Sequence, residues 1–244
     1  MYRSLDSEKI ISTIETLQRR ISERFPDSGL SKVCWELLTI ARESHERSAW
    51  IAKPQRALRF IIAILIVIII LSLISIFSNL TLPRGGFDVV GFVQVSESGM
   101  NILILVGAMI LFLITLETRI KRSRALKAIH ELRALAHVID MHQLTKAPDR
   151  ILMKGKKTAS SPKQSMNAFQ LVRYLDYCSE MLSLTGKIAA LYVQKFNDPV
   201  ALTAVEEVEE LTTGLTRKIW QKIMILNFLM TRDKDQAPGE GFPM

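Results

Sequence analysis

Three of the four histidines of this 244-residue chain fall within thirteen positions: His130, His137 and His142, with Glu131 and Asp140 among them (HELRALAHVIDMH). Imidazoles and carboxylates exchange protons near neutrality and ligate transition metals, so this stretch is the first place to look for chemistry. A metal site on one helix needs ligands three or four residues apart. His130 and His137 are seven apart, about 10 Å of helical rise, and Arg133 between them would repel a cation. The spacing instead suits a polar helix face, His130, Arg133, His137 and Asp140, that bonds to a neighbouring helix or a second subunit. His137 and Asp140, one turn apart, keep the spacing of an orienting pair, which leaves acid–base or metal chemistry as the alternative.

The carboxylates Glu206, Glu207, Glu209 and Glu210 form a second cluster. Paired catalytic carboxylates need a cleft and unequal surroundings. These lie on the outer face of an amphipathic helix, which reads as solvated surface or as a docking site for basic segments. Lys146, Arg150, Lys154, Lys156, Lys157 and Lys163 make a basic stretch with almost no aromatic residues, whereas nucleic-acid grooves interleave stacking rings with their cations. Nucleic acid is therefore not an expected partner. A Gly-rich phosphate loop, a Gly-x-Ser-x-Gly elbow and a Cys-x-x-Cys pair are missing from the sequence, and no cofactor is implied. Cys34 and Cys178 read as reduced, partly buried thiols.

The elements that carry these residues follow from how the apolar side chains are distributed. Hydrophobic residues make up 48% of the chain and the formal net charge is +8. Residues 60–117 contain one basic residue, Arg84, and the acids Asp88, Glu97 and Glu117; the parts before and after carry net +3 and +7. A single water-soluble core, a disordered chain and a disulfide-stapled scaffold are all excluded by that partition. Phe60 to Ser78 is an uncharged run of 19 residues, enough helix to cross a bilayer core of about 30 Å. Asn101 to Leu116 is a second run, completed by Gly99 and Met100. Backbone polar groups in lipid must bond within their own segment, so both are read as helices despite many β-branched residues.

Lys53, Arg56 and Arg59 flank the first run; Arg119, Lys121, Arg122 and Arg124 flank the second. Basic flanks stay in the cytoplasm, which predicts an outer loop over 83–97 and both termini inside. Those seven residues are also candidates for contact with anionic headgroups. The polar residues ahead of the first run argue against a signal peptide. Neither uncharged run has the internal charge that marks an ion pathway.

The rest reads as helix. Leu5, Ile10, Ile14, Leu17, Ile21 and Phe25 recur at helical spacing, and Pro26-Asp27-Ser28-Gly29 ends that pattern, with Asp27 or Ser28 capping the next helix over about 30–51. Between Leu116 and Pro148 there is no Gly or Pro, and Ala125, Ala128, Leu132, Leu135, Ala136 and Ile139 form one stripe of a stalk helix. A linker over 148–163 precedes a helical hairpin, in which Asp198 is the N-cap and Pro199 the first helical residue of the second arm. Gly186 and Gly214 sit at comparable distances from the turn, where small residues let the arms approach. The tail 231–244 is expected to be disordered.

The stretches ETRIKRSRALKAIHELRALAHVIDMHQLTK (117–146) and LTTGLTRKIWQKIMIL (211–226), with FPDSGLSKVCWELL (25–38) and LYVQKFNDPV (191–200), resemble those of a family of bacterial two-span membrane proteins of unassigned function. The resemblance covers most of the chain. It implies a bacterial inner membrane and a mostly helical fold, and it brings no activity, cofactor or catalytic residue.

The sequence thus predicts an all-α protein: an N-terminal helical pair (1–55), a transmembrane hairpin (56–118, spans about 58–80 and 98–117), a stalk (119–147), the basic linker and a C-terminal helical hairpin (164–230). The pair, stalk and hairpin make a cytoplasmic bundle. The leading expectation is a non-enzymatic, membrane-anchored interaction or scaffold protein that binds the bilayer and either itself or a protein partner. An accessory subunit of a channel or transporter is the alternative, and a His- or metal-dependent enzyme using the 130–142 face is the second alternative.

Overall fold

The computed structural model describes residues 4–79, 89–146, 148 and 166–235, and among these every regular element is helical. In chain order they are α1 (Ser7–Arg24), α2 (Gly29–Ala52), α3 (Arg56–Ser78), α4 (Val89–Leu144), α5 (Ala168–Leu191) and α6 (Pro199–Asp235). The chain divides into two compact units. One combines the residues up to Ala52 with those from Ala125 onward; the other is Lys53–Arg124.

Local chemistry sets the helix starts. Asp6 precedes α1, and its Oδ1 accepts the backbone N–H groups of Glu8 and Lys9 at 3.0 and 3.3 Å. These are donors that the first turn cannot satisfy internally. Between α1 and α2, Asp27 takes a left-handed conformation (φ 56°), and the Ser28 hydroxyl accepts the N–H of Ser31 at 3.2 Å. Of the two caps that the sequence allows there, Ser28 is the one used. Asn167 and Gln170 form a reciprocal capping box at the start of α5. Asp198 receives the N–H of Ala201 at 3.0 Å, with Pro199 as the first residue of α6, as the sequence predicts.

In the first unit, α1 packs on α2, α5 lies against both, and α5 and α6 form an antiparallel hairpin. Ile14, Ile21, Leu30, Leu37, Leu175, Leu182 and Ile219 are fully buried in its core. The final part of α4 belongs to the same core. Ala125, Ala128, Leu132, Leu135, Ala136 and Ile139 are buried on one face, the stripe read from the sequence. The stalk is thus a bundle helix over its last five turns rather than an isolated rod. It runs in the same direction as α6, since Arg133 meets Glu207 and Gln143 meets Lys222. Gly186 allows α5 and α6 to come close: a Cβ there would lie 3.3 Å from the Thr212 hydroxyl. Gly214 does not act this way, because a Cβ on it would meet nothing within 4 Å.

The second unit contains α3 and the first part of α4. Here the helix boundaries differ from the sequence reading. Residues 89–97, expected in the outer loop, already belong to α4, whose 56 residues make a contour of about 84 Å. The run VVGFVQVSESGM has no proline, and the helix passes through its serines and glycines to extend the apolar stretch N-terminally. Pro54 produces a short break between α2 and α3. At the other end, α6 continues to Asp235, so residues 231–235 are helical rather than part of a tail. Most of the basic linker, the remaining tail and residues 80–88 lie outside the described residues.

If α4 is held in the core by its inner face, Leu132→Ala should destabilise the bundle by about 2–5 kcal/mol, the usual result of truncating a buried leucine. His130→Ala, on the opposite face, should change it by less than about 0.5 kcal/mol. Urea unfolding followed by circular dichroism measures both; equal, small effects would contradict the packing of α4.

Candidate functional site

The four residues expected to form one face of α4 separate into two groups. His130 and His137 are exposed. Arg133 and Asp140 turn toward neighbouring side chains. The Arg133 guanidinium donates to Glu207 Oε2 on α6 at 2.9 Å. Asp140 Oδ1 accepts the Gln143 amide at 2.5 Å, and Lys222 Nζ on α6 donates to the Gln143 backbone oxygen at 2.9 Å and to its Oε1 at 2.5 Å. Lys222 thus satisfies a carbonyl in the last turn of α4, where a cation is also favoured by the helix dipole. Glu131, on the other flank, accepts Arg47 of α2 at 2.7 Å. These bonds tie α4 to both neighbours and leave the two histidines apart from any acid bridge.

His142 is the histidine that sequence spacing did not single out. It is half-buried, its backbone oxygen accepts the Tyr174 hydroxyl at 3.4 Å, and its ring lies against the start of α2. A Cβ on Gly29 would come within 2.5 Å of the His142 ring, so a larger residue there would have to displace the ring. Burial, and then the nearby Lys146 charge, holds the imidazole below its ordinary range and so favours the neutral ring. His45, the fourth histidine, bonds through Nδ1 to the Ser7 hydroxyl at 2.7 Å. Among the described residues no three His, Cys, Asp or Glu side chains converge as ligands would.

Cys34 and Cys178 are free and fully buried, not partly so as the sequence suggested. Burial pushes both thiols up to about 12; the Glu180 charge adds to the effect at Cys34, while Lys222 and Lys146 oppose it at Cys178. A thiol in that range is not a nucleophile at neutral pH. Of the acidic cluster, Glu207 has Arg133 as its partner, and Glu206, Glu209 and Glu210 are exposed. An open groove of about 390 Å³ runs beside this pair, with Leu211, Gly214 and Leu215 on its floor and Lys218 and Glu210 at its rim. Gly214 contributes by leaving space there.

In the second unit, the basic residues assigned to the membrane surface also divide. Lys53 and Arg56 are exposed. Arg119 lies over the Phe112 ring, 5.6 Å from its centroid, and donates to the Thr115 hydroxyl at 3.3 Å. Arg122 is half-exposed and Arg124 exposed. Lys121 is a correction: it is buried, with Nζ 2.8 Å from Glu117 Oε1 and 2.8 Å from the Lys53 backbone oxygen. Arg59 Nε donates to Glu117 Oε2 at 2.6 Å, and the Gln55 N–H reaches Oε1 at 3.2 Å. Glu117 therefore binds the start of α3 to α4 through charged hydrogen bonds. The sequence signal was available, since Glu117 is the acid ending the second apolar run and stands four residues before Lys121. Counting basic residues for topology passes over it.

No family model, curated protein or solved structure matches this chain.

The state of His142 has a consequence for stability. Its folded value lies below its unfolded value of about 6.5, so the unfolded chain binds the proton first as pH falls. Stability should be full above that value and decline as pH drops from it toward the folded value. Urea midpoints at pH 7.5 and 5.5 test this: the decrease should be smaller in His142→Gln than in the natural chain. An identical decrease would contradict it.

Proposed function

We propose that the chain is a non-enzymatic interaction protein held in a membrane by α3 and the first part of α4, with the bundle on the cytoplasmic side offering a face to itself or to a protein partner. The observation that carries the anchor is where the apolar side chains lie. In the bundle most of them form a buried core, whereas Phe60, Leu103 and Leu105 are about 70% exposed and Ile61, Ile68, Leu71 and Ile74 more than half so. The two helices are long and apolar enough to span a membrane. Left in water, that surface would cost about 25 cal/mol for each Å², so lipid is the environment that matches it. The basic flanks support cytoplasmic termini, and a bacterial inner membrane agrees with the resemblance drawn from the sequence.

The non-enzymatic part rests on the bundle's chemistry. Among the described residues its histidines, acids and thiols are engaged in structural bonds, buried, or exposed singly, and the one Ser–His contact, Ser7 with His45, lies exposed at the surface. The charges flanking His130 and His137 are already bound within the protomer, which leaves a face suited to contact. A channel or transporter subunit is one kind of partner that this reading admits.

Washing native membranes with alkaline carbonate should leave the intact chain in the pellet, and a reporter inserted between residues 83 and 88 should be active only outside the cytosol. Release into the supernatant, or a reporter active only in the cytosol, would overturn the reading.

A further inference from the structure

We propose that a second copy of this chain pairs with the first along α4, parallel and in register, through Lys127, His130, Ala134, His137, Met141 and Leu144. The inference rests on the membrane-anchored reading above and names the partner of the face left unassigned there. All six residues are exposed, Met141 and Leu144 at 67% and 60%. Their spacings are three, four, three, four and three, the alternation that keeps one seam facing a partner helix in a coiled coil. The opposite side of the same helix is buried in the bundle, so among the described residues α4 has two packing faces of which one is occupied.

Charge argues for a second copy over an unrelated protein. In a parallel, in-register pair each residue meets its own counterpart, so an acid or base in the seam meets its like. Five of the six seam residues carry no fixed charge; Lys127 ends the row, and its long side chain can turn aside to water. The charges that flank the seam are bound within their own bundle: Glu131 to Arg47, Arg133 to Glu207, and Asp140 to Gln143. Direction argues the same way. α4 is continuous with a proposed membrane span, and copies inserted the same way carry it in the same sense. The other exposed apolar row, Trp220, Met224 and Phe228 on α6, lacks this property. It continues into Arg217 and Glu210, which would face their own like charges in such a pair.

In the pair His130 and His137 each face the same residue of the other copy, with Ala134 between them allowing the backbones close. The arrangement is an isologous two-fold contact, which closes at two copies.

Oxidative cross-linking of the full chain in native membranes tests this, with single cysteines introduced as Ala134→Cys or Met141→Cys and Thr213→Cys on exposed α6 as the control. Cys34 and Cys178 are buried and contribute no background. Both seam variants should give a covalent dimer and the control should not. In the Met141→Cys chain, adding His137→Glu places like charges face to face and should reduce the dimer by about tenfold, with the thermal transition unchanged because residue 137 is exposed. Several results would overturn the pairing: no dimer from the seam cysteines in protein that stays membrane-bound through a carbonate wash, equal cross-linking at residue 213, or capture of a different chain by the seam. Each of those leaves the membrane reading intact. Release by carbonate would remove both.

Discussion

Peptide groups and apolar side chains make opposite demands on their surroundings, and this chain meets the conflict in two ways. In the bundle, five helical segments turn apolar stripes inward and settle their end groups with Asp6, Ser28, Asn167 and Asp198. In α3 and the first part of α4 the backbone is equally self-satisfied, but most apolar side chains are exposed, and Ile62 is the one apolar side chain among the described residues of this unit that is buried. The two helices are long and apolar enough to span a membrane, and the proposed anchor meets their need for an apolar solvent. The separation of the chain into two units, the charged residues beside Glu117 and the proposed role all follow from that need.

The long helix joins the two regimes along one backbone. Its residues up to Arg124 belong to the apolar unit and those from Ala125 to the bundle core. Glu117, bound to Arg59, Lys121 and the Gln55 N–H, lies where the apolar side chains give way to charged ones. An acid that removes a lysine from the surface works against a simple count of basic residues as headgroup contacts. In the bundle, Arg133, Asp140 and Glu131 hold α4 in place, so the same polar groups that first suggested a binding face are largely occupied in positioning the helix.

Much of the fold is legible in the sequence because the responsible forces are local and periodic. The apolar runs, the buried stripe from Ala125 to Ile139, the break at Pro26–Gly29 and the Asp198–Pro199 start all depend on spacing within one element. What was missed depends on contacts between elements. Periodicity cannot show that Arg133 finds Glu207, 74 residues away, or that Gly29 makes room for His142. It ranked His130 and His137 by their shared face, whereas the histidine with an altered environment is His142, set by neighbours from α2 and α5. The pairing of Gly186 with Gly214 failed for the same reason: only Gly186 lies at the closest approach of its two helices.

The central claim is that lipid surrounds the exposed face of α3, opposite Ile62. Spin labels placed singly along residues 61–75 of the reconstituted protein, with collision rates measured for oxygen and for a water-soluble nickel complex, test it directly. The account predicts high oxygen and low nickel accessibility at the exposed positions, Ile61, Ile64, Ile68, Leu71 and Ile74, with depth greatest near the middle and nickel low at the packed positions as well. Accessibility that alternates with the helical period, with nickel reaching one face, would show a helix packed on protein in water and would contradict it.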